Sequence, residues 1–135
     1  ETAKPDTTSD TEPQVAQVEE TENNDPLDAQ KYYNEGFTLF NQEKYLEALE
    51  KFDKASEIDP NFAEAWYNKG VTLSILERYP EAIVCYDKVI ALNPNHTKAW
   101  WNKGVILNKL GRYAESQECF DRAKQLDPSL ENIET

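Results

Sequence analysis

Residues 63–96 read AEAWYNKGVTLSILERYPEAIVCYDKVIALNPNH, and the same pattern returns on both sides of them at a fixed step of 34 residues. Gly36, Gly70 and Gly104 keep that step, and so do Pro60, Pro94 and Pro128. Tyr45, Tyr79 and Tyr113 repeat it, as do Asn34, Asn68 and Asn102. A period of this length marks one supersecondary unit stacked on copies of itself, because a single unit cannot bury its apolar face alone. Three consecutive copies cover residues 29–62, 63–96 and 97–130.

Around this array the composition is uneven. Of the formal charge of −12, residues 1–28 carry −8, with Lys4 as their single base. That segment has no aromatic residue and three prolines, and Val15, Val18 and Leu27 are its only large apolar side chains. It cannot bury enough apolar surface to offset roughly 1–2 kcal/mol of backbone entropy per residue. Residues 1–28 therefore read as an acidic, disordered tail or tether, and residues 29–135 as the folded domain. Neither part has the basic field on which phosphate binding depends, so nucleic acid is excluded as a partner.

No apolar run approaches the ~18 residues of a membrane span. No secretory signal is visible, and the chain starts at Glu1. Cytoplasmic location is the default expectation; the alternative is an extracytoplasmic domain tethered by an anchor or signal removed upstream. The two cysteines, Cys85 and Cys119, are one period apart. Equivalent points on stacked helix pairs lie ~8–10 Å apart, beyond the ~7 Å that a disulfide tolerates. Free thiols are expected.

Each copy should hold two helices, at about 29–42 and 46–58, 63–76 and 80–92, and 97–110 and 114–126. Asp28 is the expected first N-cap, and the second helices should stop ahead of Pro60, Pro94 and Pro128. Pro80 falls just inside a helix start, where a missing N–H does little harm. Gly111 marks a turn where Glu43 and Glu77 stand in the other copies. A glycine inside a helix costs ~1 kcal/mol against alanine, so Gly36, Gly70 and Gly104 imply close approach of a partner helix. Ala48, Ala82 and Ser116 are the small residues expected to face them, with Phe52, Tyr86 and Phe120 filling the junction with the next repeat.

The unit W/Y-Y/W-N-x-G-x-x-L…Y-x-E-A/S…F/Y…A/V…P resembles the tetratricopeptide repeat over residues 29–130. The resemblance implies an all-α, right-handed helical-hairpin solenoid of three units and six helices. It also implies that the first helix of each unit lines a concave groove. Three columns then point into the groove: aromatic Tyr33, Tyr67 and Trp101; amide Asn34, Asn68 and Asn102; and apolar Phe37, Val71 and Val105. Lys98 joins them, with Ser74, Ile75, Asn108 and Lys109 nearby. A primary amide offers both a donor pair and an acceptor, so an asparagine ladder can hold a peptide backbone whatever its side chains. The resemblance thus implies a non-catalytic protein-interaction module that binds an extended peptide or partner segment. The alternative is an assembly scaffold that packs through its outer or terminal faces with an idle groove.

Chaperone-binding members of that family clamp a C-terminal carboxylate with five residues. Asn68 and Lys98 match that set here, while Tyr33, Phe37 and Asn102 depart from it. A less charged ligand is expected. No CxxC, HExxH, P-loop or GxGxxG spacing occurs, and Cys85 and His96 are too far apart on the unit for a nucleophile pair. No catalytic residue, metal ligand or cofactor is assigned. Glu47, Glu81 and Glu115 suit the positive ends of the second helices. Asp53, Asp87 and Asp121, each followed by a base, read as a solvated face with local ion pairs. Ser116, Gln117 and Lys124 would soften the exposed last helix; weak self-association through this uncapped repeat is the other expectation. The idiom Trp66-Tyr67-Asn68-Lys69-Gly70 is similar to many prokaryotic repeat proteins.

Overall fold

The computed structural model describes residues 25–132. The expectation of a disordered acidic tail falls on residues 1–24, outside the described residues. Among those described, three hairpins follow one another: α1 (Pro26–Asn41) with α2 (Tyr45–Ile58), α3 (Ala63–Ile75) with α4 (Tyr79–Leu92), and α5 (Thr97–Lys109) with α6 (Tyr113–Leu126). A 3-10 turn, Pro128–Asn132, packs back on α6. The second helix of each hairpin packs on the first helix of the next, and α1 also touches α3. This is the helical solenoid of three repeat units.

The first helix starts earlier than expected. Asp25, not Asp28, is its N-cap, with the carboxylate accepting the Leu27 N–H at 3.0 Å. Pro26 suits the first helical position because its missing N–H would have no partner there. Asp28 then lies in the first turn, where the helix dipole favours its charge.

All three hairpins turn by the same device. Glu43, Glu77 and Gly111 occupy the left-handed region, with φ of 63°, 62° and 77°. The next N–H, from Lys44, Arg78 or Arg112, reaches back to the carbonyl of Leu39, Leu73 or Leu107 at 2.9, 2.8 and 2.9 Å. This is the long bond of a Schellman ending, and it satisfies a carbonyl the helix would otherwise leave open.

The helical glycines face aromatic rings, which corrects the sequence expectation. A Cβ on Gly36, Gly70 or Gly104 would come within 2.8, 3.0 or 2.9 Å of the ring of Phe52, Tyr86 or Phe120. Those buried rings lie over the glycine of their own hairpin rather than only filling the next junction. Ala48 and Ala82 are fully buried beside them. Ser116 is buried too and donates to the Gly104 carbonyl at 2.7 Å, so it does not soften an exposed end. That task falls to Gln117 and Lys124, which replace Ile83 and Ile90 of the preceding repeat.

Between hairpins a second set of contacts recurs. The indole N–H groups of Trp66 and Trp100 donate to the carbonyls of Pro60 and Pro94, both at 2.8 Å, and clasp the inter-repeat turns. Asp53 pairs with Lys69, and Asp87 with Lys103, both at 2.6 Å. The aspartates thus bridge consecutive repeats instead of pairing with the adjacent bases Lys54 and Lys88. Asp121 instead accepts a hydrogen bond from Gln117 on its own helix at 2.9 Å. Glu81 and Glu115 are gripped by Arg78 and Arg112 at 2.8 Å, which holds both carboxyls below their ordinary pKa.

Candidate functional site

The aromatic and amide columns meet across the repeat boundaries. Asn68 donates its Nδ2–H to the Tyr33 hydroxyl at 2.9 Å, and Asn102 does the same to Tyr67 at 3.0 Å. These amides are therefore structural ties as well as groove residues. Each keeps its carbonyl oxygen for a ligand, and each tyrosine keeps its own O–H to donate. Burial pushes the Tyr33 and Tyr67 phenols above their ordinary pKa, while the amide N–H bonds pull the other way. Both stay protonated at neutral pH.

The rings of this column are committed to packing. Tyr33 lies against Phe52 and Phe62, with ring centres 5.8 and 5.1 Å apart. Tyr67 lies against Tyr86 and His96 at 5.9 and 5.0 Å. Trp101 packs on Phe120 at 4.6 Å. Asn34 has no preceding repeat among the described residues and accepts instead from Gln30 at 3.0 Å.

The apolar column stays open to solvent. Phe37 is 48% exposed and Ile75 45%, with Val71 and Val105 half-buried between and beyond them. Val71, Asn102 and Val105, three of the residues expected from the sequence, come together at a cavity of about 210 Å³ between the second and third repeats. Ser74, Ile75, Tyr79, Tyr86, Ile106 and Lys109 complete its wall. Tyr33, Asn34, Phe37, Tyr67, Asn68, Lys98 and Trp101 lie outside it.

Tyr79, Tyr86 and Ile106 reach the groove although the three sequence columns do not include them. Ile106 stands where Thr38 and Thr72 stand in the other repeats, and that break in the period was the available signal. Tyr86 supplies the floor. Ser74 gives its proton to the Gly70 carbonyl at 2.9 Å, so the Tyr86 hydroxyl, 3.4 Å from Ser74 Oγ, is the donor to it. Burial pushes the Tyr86 phenol up to about 12.

Neither thiol opens onto this face. Cys85 and Cys119 are free and buried, and burial pushes the Cys85 thiol up to about 11, away from the reactive thiolate. His96 caps α5, its Nδ1 accepting the Ala99 N–H at 3.1 Å. Among the described residues no three His, Cys, Asp or Glu side chains are placed to hold a metal, and no helix is long and apolar enough to cross a membrane.

Known proteins share this architecture. A family model described as "Tetratricopeptide repeat" matches residues 63–96 and 97–130, and one described as "TPR repeat" matches 36–74. Comparison with curated proteins gives no match. Among solved structures, the first TPR of Spaghetti bound to the HSP90 peptide SRMEEVD is 26% identical, with a TM-score of 0.75 over 81% of this chain and 85% of that one. The TPR2B-domain:pHsp70 complex of yeast Sti1 is 25% identical, with a TM-score of 0.72 over 78% and 85%. MamA from Desulfovibrio magneticus RS-1 is 30% identical, with a TM-score of 0.71, but the match spans 78% of this chain and 58% of that one.

Proposed function

We propose, since the chain belongs to the tetratricopeptide repeat family, that its concave groove binds an extended segment of another protein and catalyses nothing. The observation that carries this is the uncovered face itself. Phe37, Val71, Ile75 and Val105 form an apolar strip that remains partly exposed, edged by the amides of Asn68 and Asn102. Apolar side chains left open beside amides that keep a carbonyl oxygen to accept with suit a peptide main chain with apolar side chains. Of the similar solved structures, one holds the acidic HSP90 peptide SRMEEVD and another is a pHsp70 complex. This groove matches two of the five carboxylate-clamp positions, so we assign it a less charged segment.

The test is a peptide array probed with the full chain and with Phe37→Ser and Ile75→Ser, two exposed changes that leave the inter-repeat bonds alone. Loss of array binding at an unchanged melting temperature is the expected result. Undiminished binding by both variants would refute the groove.

A second reading rests on Leu46, Val84 and Tyr113, which are 66, 63 and 67% exposed on the second helices. If those outer faces carry assembly contacts, serine at these positions would abolish partner binding while the groove variants would not. We read the last helix as a polar end through Gln117 and Lys124 rather than as a stacking surface. A sedimentation coefficient independent of concentration is the expected outcome. For residues 1–24 we propose a tether role.

A further inference from the structure

The groove is not uniform along its length, and the sequence explains where it opens. In the first repeat Phe37 and Phe40 stand where the second repeat has Val71 and Ser74. Both are larger aromatic side chains: Phe37 is 48% exposed, and Phe40 lies edge-on against Tyr45 of its own hairpin with ring centres 5.3 Å apart. The smaller pair leaves the cavity of about 210 Å³ at the second junction. A cavity of ~150 Å³ lined by aliphatic and aromatic side chains already takes benzene, so this one has room for a single large side chain. Val71, Ile75, Val105 and Ile106 make its wall apolar, and Asn102 stands at its edge.

Charge at the rim adds a second requirement. Lys109 lines the cavity and is exposed, and it is in no ion pair among the described residues. Lys69 and Lys103 are committed to Asp53 and Asp87 and cannot serve here. Resting on the groove reading above, we infer that the junction of repeats two and three is the specificity-determining subsite. Its occupant is an extended peptide that inserts one large apolar side chain, of leucine, methionine or phenylalanine size, with a single carboxylate beside it for Lys109. Asn102 meets the main chain at that point through its free carbonyl.

The experiment is an amide-detected NMR titration of the full chain with three synthetic peptides: Ac-GSGLEGSG-NH2, its Leu-to-Ser form and its Glu-to-Gln form. The leucine peptide should move the amides of Val71, Val105, Ile106 and Lys109. The serine form should bind about tenfold or more weakly, as loss of one buried leucine implies, and the glutamine form a few-fold more weakly. Val71→Phe, which puts the first repeat's larger side chain into the cavity wall, should erase the leucine preference. Lys109→Gln, an exposed change, should erase the glutamate preference even if Val71→Phe fails to fold. Equal binding of all three peptides with shifts along Asn68 and Asn102 would overturn the subsite and leave the groove reading standing. No shift at any groove amide at millimolar peptide would overturn both.

Discussion

The side-chain amide of Asn68 donates to the hydroxyl of Tyr33 at 2.9 Å, tying the first helix of one repeat to the first helix of the one before it. A residue that looks like pure ligand-binding equipment therefore also holds the scaffold. Tyr33→Phe should lower stability by about 0.5–1.5 kcal/mol, the ordinary net worth of such a bond. Adding Asn68→Ala to Tyr33→Phe should cost less than the sum of the separate losses, as expected for partners in one bond. Urea denaturation of the four forms checks this; strict additivity would mean that the bond contributes nothing. Any loss of ligand binding in an Asn68 variant has to be judged against that loss of stability.

The inter-repeat ion pairs allow a comparison within one chain. Asp87 meets Lys103 at 2.6 Å, whereas Asp121, at the equivalent place in the last repeat, meets Gln117 on its own helix. The pair is partly exposed, so its worth is under ~1 kcal/mol and screened by salt. Asp87→Ala should lower the melting temperature at low ionic strength and lose most of that effect in about 1 M salt. Asp121→Ala should have the smaller effect at both. Equal effects of the two substitutions would show that the bridge to Lys103 is not felt.

Two glycine-related substitutions should act in opposite directions. Gly104→Ala gains helix propensity of ~1 kcal/mol, but its Cβ would lie within 2.9 Å of the Phe120 ring. That ring is buried and has little room to move, so the clash should win and stability should fall. Glu77 holds a left-handed φ of 62° with a full side chain, which costs roughly 1–2 kcal/mol. Glu77→Gly should therefore raise stability by about 0.5–1 kcal/mol after the added freedom of the unfolded chain is counted. Thermal unfolding of both variants decides the signs.

His96 is the only histidine, and it caps α5 through an unprotonated Nδ1 beside the Tyr67 ring. Burial lowers its pKa, Lys98 lowers it further, and Glu64 on α3 opposes them. The unfolded chain therefore binds this proton more tightly than the folded one. The stabilising contribution is complete above the unfolded pKa of ~6.5 and is lost as pH falls below it toward the lowered folded value. The melting temperature should drop between about pH 7.5 and 5.5, ahead of carboxylate titration. His96→Asn, a cap that does not titrate, should flatten that slope. An unchanged slope would remove His96 as its source.

Much of this molecule is written locally. The 34-residue step, the glycines, the prolines and the turn residues determine six helices in three hairpins, because each signal acts within a few residues of itself and recurs three times. Helical spacing puts the apolar and amide columns on one face, and the family resemblance implied that this face is the open groove. What the tertiary structure decided is the set of partners. Asn68 and Tyr33 are 35 residues apart, and nothing local distinguishes an amide awaiting a ligand from one already tied to a neighbouring repeat. Asp53 could have paired with adjacent Lys54 until stacking brought Lys69 closer. The cavity, too, exists only by stacking: Val71, Ser74 and Ile75 of the second repeat leave a space against Asn102, Val105 and Ile106 of the third. Packing volume is a property of facing surfaces, and a single helix sequence holds only one of them.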